Sequence, residues 1–136
     1  MEIIDTELYL YSESNGGRHS PILGRTDRSF YRPHIVIGDP AQKVAIYKTN
    51  EEEKKVSDEL YLGVQFRSTP DHEYLPTEEK IRVTMELSYL GRVDYTKAIE
   101  GATFTLREGG RVIGYGTILN RMKEKTREPV SEGNER

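Results

Sequence analysis

The sequence predicts an all-β domain: an antiparallel Greek-key β-barrel of six to seven strands. Three observations predict it. Apolar residues alternate with polar ones at period two, most clearly at Leu60, Leu62, Val64 and Phe66 and at Ile81, Val83, Met85, Leu87 and Tyr89. No stretch sustains a helical period. The runs are separated by turn chemistry, with 12 glycines and 6 prolines in 136 residues, a length suited to one domain with a single core.

In chain order, Ile4, Thr6, Leu8 and Leu10 alternate with Asp5, Glu7, Tyr9 and Tyr11, giving a first strand with one inward face. Residues 12–28 carry glycine, proline and many polar side chains, a long loop of the kind that often bears function. A second strand is expected from Phe30 to Gly38, placed at an edge or bulge by Pro33, which has no N–H to donate. A short third strand, Val44 to Tyr47, is ended by Asn50 and the charged run Glu51 to Lys55, which fits a solvated loop. After the two striped strands, residues 91–101 form a connection with room for one helical turn. The final hairpin spans Ala102 to Asn120. Phe104 and Leu106 alternate with Thr103, Thr105 and Arg107, Glu108-Gly109-Gly110 makes the turn, and a second run follows. Gly114 and Gly116 lie two apart and therefore share one face, suiting a closely approached strand at a barrel corner. The tail 121–136 has almost no apolar content, so burial cannot offset its ordering entropy, and disorder is expected beyond about Thr126.

Composition narrows the function. The net charge of −3 does not create a field that draws nucleic acid, so DNA is not expected and any polyanion needs a local patch. The absence of cysteine removes disulfides, thiolate metal sites and thiol catalysis. The N-terminus lacks a basic, then apolar, signal pattern, and no run approaches the roughly eighteen apolar residues of a membrane span, so a cytoplasmic protein without a membrane partner is expected. His19, His34 and His72 have no metal-ligand spacing, and neither a metal nor another cofactor is expected. There is no phosphate-cradling loop ending in Gly-Lys-Ser/Thr and no nucleophile elbow, which points away from GTP hydrolysis and from an enzyme.

Two motifs then stand together. The segment FTLREGGRVIGYGTIL, Phe104 to Leu119, closely resembles the last hairpin of the C-terminal barrel, domain 3, of elongation factor Tu. Upstream, Asn15-Gly16-Gly17-Arg18-His19-Ser20-Pro21 and Phe30-Tyr31-Arg32-Pro33 resemble that domain's GGRH-[ST]-P and Y-R-P segments, in the same order. The resemblance covers about residues 3 to 47 and 78 to 120 and includes no other domain of the factor; an atypical insert lies at about 48–72. It implies a six-stranded β-barrel over residues 1–120, standing alone without a GTPase domain.

The resemblance also implies a surface. In the family the matching segments touch the T-stem backbone of aminoacyl-tRNA. Carried over by motif, the contact residues are Arg18, His19, Arg32, His34, Arg107, Glu108 and Gly109, with His34 standing where the bacterial factor usually has glutamine. Arginine suits bidentate phosphate contacts, and paired glycines let a backbone approach closely. The two motif regions, far apart in sequence, are expected on neighbouring parts of one surface. The implied function is a non-catalytic translation-factor-like binding module whose partner is tRNA or another structured RNA. The alternative is a protein-interaction or decoy module for a translation-factor partner or toxin, and a third reading is a small-molecule enzyme using the barrel mouth. A Glu51 to Glu59 insert laid over the basic motif residues would count against RNA.

Overall fold

The structure, a computed structural model, describes residues 1–25 and 31–124. Its strands are β1 (Glu2–Leu10), β2 (His34–Ile37), β3 (Tyr47–Thr49), β4 (Lys55–Ser57), β5 (Leu62–Phe66), β6 (Lys80–Leu87), β7 (Thr103–Glu108) and β8 (Arg111–Lys123). Six close into an antiparallel barrel in the order β1-β6-β5-β2-β7-β8, with β8 paired back onto β1. The β3 and β4 strands form a separate hairpin. Among the described residues there is no α-helix, only a 3-10 turn at Glu13–Asn15.

The period-two stripes fill the barrel, except at their ends, where Leu60 and Tyr89 lie outside β5 and β6 and are exposed. Ile4, Leu8, Ile35, Val64, Met85, Phe104, Leu106 and Ile118 are fully excluded from solvent. Thr6 on the β1 stripe is buried too, its hydroxyl donating to the Val83 carbonyl at 2.9 Å, so the polar group keeps a partner. The strand β8 presses against β1: a Cβ on Gly116 would lie 2.5 Å from the Glu7 carbonyl oxygen and 2.7 Å from Phe104 Cζ, and one on Gly114 would lie 2.5 Å from the Tyr9 carbonyl oxygen. Only glycine permits that approach.

Several elements differ from the sequence expectation. The second strand begins at His34, not at Phe30, which lies outside the described residues; Tyr31 and Pro33 still accept ladder bonds from Phe66 and Val64. Val44 to Tyr47 is not a strand. Val44 and Ile46 are exposed, Val44 makes only an isolated antiparallel bridge to Arg111, the Ile46 N–H goes to the Glu59 carboxylate at 2.8 Å, and the β3–β4 ladder starts at Tyr47. The charged run makes the β3–β4 turn, where Asn50 Oδ1 accepts the N–H groups of Glu52 and Lys54 at 3.0 and 2.9 Å. Residues 91–101 form turns without a helix, because Asp94 takes the Thr96 N–H and the Tyr95 hydroxyl reaches across to the Gly63 carbonyl at 2.6 Å.

The barrel also runs past Asn120. Residues Arg121 to Lys123 extend β8 along Glu2 to Ile4, and the Arg121 guanidinium bonds Glu2 at 2.7 Å and the Tyr95 carbonyl at 2.7 Å. Arg67 binds the Glu124 carboxylate with both terminal nitrogens, at 2.7 and 2.6 Å. Low apolar content predicted a tail here, but ladder bonds and ion pairs order these residues instead. The expectation for the remainder of the tail falls on 125–136, outside the described residues.

Candidate functional site

The β7–β8 turn fixes one half of the motif region. Gly109 takes a left-handed φ of 59°, which closes the turn between Glu108 and Arg111. The loop after β1 fixes the other half, and the two meet as expected. Arg18 Nε lies 2.6 Å from Glu108, and Arg111 donates to the Gly17 carbonyl at 2.6 Å across 94 residues of sequence. The Tyr31 hydroxyl donates to the same Glu108 carboxylate, and the Arg18 guanidinium sits 5.2 Å from the Tyr31 ring centroid. Burial first, and then the bond to Glu108, push the Tyr31 phenol well above the usual tyrosine range.

The remaining candidates divide. Arg107 has a fully buried side chain: two guanidinium nitrogens meet Glu59 Oε1 and Oε2 at 2.9 Å each, a third bonds Thr105 Oγ1 at 2.9 Å, and Tyr61 adds a hydroxyl at 3.0 Å. The expectation that Arg107 faces a phosphate is therefore corrected. Its fork is occupied by the carboxylate of Glu59, from the segment between β4 and β5, in the same bidentate geometry a phosphate would have used. The Glu59 carboxyl is held down to about 2, first by Arg107 and further by donors from Ile46 N and Gln42. Glu108 likewise accepts from Arg18 and Tyr31 and does not stand alone at the surface.

His34 is half-buried with its ring edge-on to Tyr61, centroids 5.7 Å apart. His19 is exposed, and its Nδ1 lies 2.7 Å from Glu13, a hydrogen bond that raises the imidazole pKa. Arg32 is exposed but opens on a different pocket, beside Met1, Glu86 and Tyr89, whereas Arg18 lies beside Tyr11 past the other end of β1. The structure thus joins Arg18, Glu108, Gly109 and Arg111 and leaves Arg32 apart from them.

A feature that the motif reasoning missed adjoins this region. An open groove of about 610 Å³ is lined by Tyr9, Tyr11 and Tyr115 together with Asn15, Glu78, Pro40, Ala41 and Lys43. Tyr9 stacks on Tyr115 at 5.0 Å and 26°, and Tyr11 packs edge-on to Tyr9 at 6.1 Å. Lys43 Nζ sits 3.4 Å from the Tyr11 ring centroid. Glu78 accepts from Ser12 N at 2.7 Å, Tyr9 Oη at 2.8 Å and Asn15 Nδ2 at 3.1 Å, in that order of influence on a carboxyl lowered to about 2. The sequence signal was the alternation of Tyr9 and Tyr11 with Leu8 and Leu10; Tyr9 is half-buried on β1, whereas Tyr11, expected to face outward, follows the strand and is buried. Joining Tyr115 to it required the β1–β8 register that pairs Tyr9 with Tyr115.

Among the described residues no group of three or more histidines, aspartates or glutamates converges as a metal site would require. No protein-family model matches the chain.

Proposed function

We propose that the chain is a non-catalytic binding module, similar to the C-terminal barrel of elongation factor Tu, and that its partner is a protein. The observation that carries the choice of partner is the fate of the motif arginines. Arg107 is neutralised inside the wall by Glu59, and the part-exposed Arg18 is paired with Glu108, so two cations that would have met a phosphate backbone already have carboxylate partners within the chain. With a net charge of −3, few phosphate contacts would remain, and such contacts weaken steeply with salt. The neighbouring groove offers rings instead, the side chains that anchor protein interfaces.

Two measurements test this reading. Titration with tRNA across a range of salt concentrations is expected to show no saturable binding at physiological salt, for wild type and Arg32→Ala alike. Cross-linking of the chain to a purified translation factor, with and without ribonuclease, is expected to give ribonuclease-indifferent links at the Arg18–Arg111 end. Saturable tRNA binding that Arg32→Ala weakens, with the salt slope reduced by about one unit, overturns the choice of protein over RNA.

A further inference from the structure

A second groove, of about 330 Å³, opens where the segment between β2 and β5 meets the barrel, and its apolar lining is Val36 and Ile37 of β2, Ile46, Leu60, and Leu62 of β5. We infer that it docks a segment of the partner protein that presents a leucine-sized aliphatic side chain with an acidic residue beside it. The inference rests on the protein-binding reading above and names the chemistry that the partner brings to this face.

The apolar side chains here stand open. Ile46 and Leu60 are each 51% exposed, and Val44 in the same segment is 74% exposed. Polar contacts nevertheless hold the backbone that carries them: the carboxylate of Glu59, the residue before Leu60, accepts from Ile46 N and Gln42 Nε2 at 2.8 Å each and from the Arg107 fork at 2.9 Å. Aliphatic groups fixed in water gain from being covered, and a backbone already held loses little ordering entropy on binding. Charge narrows the occupant further. Three charged residues line the groove, and two are engaged, Asp58 with Lys48 at 3.4 Å and Glu59 with Arg107. Lys97 is exposed and makes no ion pair within 4 Å among the described residues; Asp94 of its own turn acts on it only through space and already accepts the Thr96 N–H. The open charge is therefore a cation, and it favours a carboxylate on the partner. No ring lines the groove, so a nucleic-acid base finds nothing to stack on, and a net charge of −3 gives an anionic membrane no attraction. The same segment also joins the motif end: Val44 bridges to Arg111, and a Cβ on Gly110 would lie 2.2 Å from the Tyr47 hydroxyl, which places the segment against the β7–β8 turn and within reach of one partner.

The test uses the full chain, isotope-labelled, with acetyl-leucyl-glutamyl amide as the probe, followed through amide shifts in NMR spectra. Saturable shifts are expected, centred on the groove residues 36–37, 46, 58–62 and 97. Replacing the probe's leucine by alanine is expected to weaken binding about tenfold, and replacing its glutamate by lysine to weaken it roughly two- to fivefold, as for an exposed ion pair. Leu60→Ser is expected to weaken binding of the leucine probe, and Lys97→Glu to reverse the preference so that the lysine probe binds better. Both side chains are exposed, and a spectrum otherwise like that of wild type establishes that each variant is folded. The inference is overturned by absence of saturable shifts in wild type, by equal binding to folded Leu60→Ser, or by a glutamate preference that persists in Lys97→Glu. Shifts at the same residues on concentrating the chain alone would give the groove to a second copy and overturn the choice of partner. Failure of this inference alone appears as any of these outcomes while ribonuclease-indifferent cross-links at the Arg18–Arg111 end persist. Failure of the broader reading appears instead as salt-dependent tRNA binding.

Discussion

Arg107 carries an unusual position for an arginine, fully buried in a strand of a small barrel, and the reason lies 48 residues away in sequence. A buried guanidinium is tolerable only when its charge and donors are met, and Glu59, Thr105 and Tyr61 meet them. Arg107→Met is expected to leave Glu59 without its main partner and to cost about 3–5 kcal/mol, whereas Arg107→Met combined with Glu59→Gln should recover a large part of that loss. Chemical denaturation of the two variants checks it; a neutral single substitution would show that the pair contributes nothing. The partnership was illegible in the sequence because Glu59 closes a charged stretch whose other acids are solvated, and nothing in its local pattern marks it as the one turned inward. The motif marked Arg107 as a candidate contact residue but gave no sign that Glu59 holds it inside the barrel wall. By contrast the meeting of Arg18 with Glu108 followed from the two motifs and the barrel's closure.

At the level of elements, strands with one buried face were legible because burial imposes period two, as in β1, β5 and β6. Elements held by polar contacts were not. The β3–β4 hairpin exposes most of its residues, and the end of β8 is ordered by ladder bonds and by Arg121 and Glu124, so neither leaves a hydrophobic signature. Arg121→Ala removes bonds to Glu2 and to the Tyr95 and Ala98 carbonyls, which should cost about 1–2 kcal/mol and lower Tm by several degrees. An unchanged Tm would return this segment to the status of a tail. The β1–β8 approach gives a second check. Gly116→Ala forces a methyl against the Glu7 carbonyl and Phe104, an overpacking expected to cost about 1–3 kcal/mol, and a variant as stable as wild type in thermal unfolding would contradict the tight seam.

For the whole molecule, the ionisable groups tied into the fold define a pH range of stability, and the sign on each side follows from the direction of the shift. Glu59 has a folded value lowered to about 2, so its contribution is present above the ordinary glutamate range and is lost as pH falls from there toward about 2. Glu78 is lowered to about 2 in the same way and adds to the same acid limb. Tyr31 and Tyr95 are raised, chiefly by burial, so the stability they support is complete below the ordinary tyrosine value of about 10 and is lost as pH climbs above it. The barrel should therefore keep a level Tm across neutral pH and lose it at both extremes. Glu59→Gln, though less stable at neutral pH, should show a shallower acid limb, because one carboxylate no longer has to be protonated in the wall. Tyr31→Phe should lose about 1 kcal/mol at neutral pH from the missing bond to Glu108 and show a shallower alkaline limb, since one buried phenol no longer ionises. Thermal unfolding followed from acid to alkaline pH for wild type and both variants decides it. Limbs of identical steepness in all three proteins would mean that these buried groups do not govern the pH range, and would remove the Glu59–Arg107 and Tyr31–Glu108 contacts from any account of what holds the two motif regions in place.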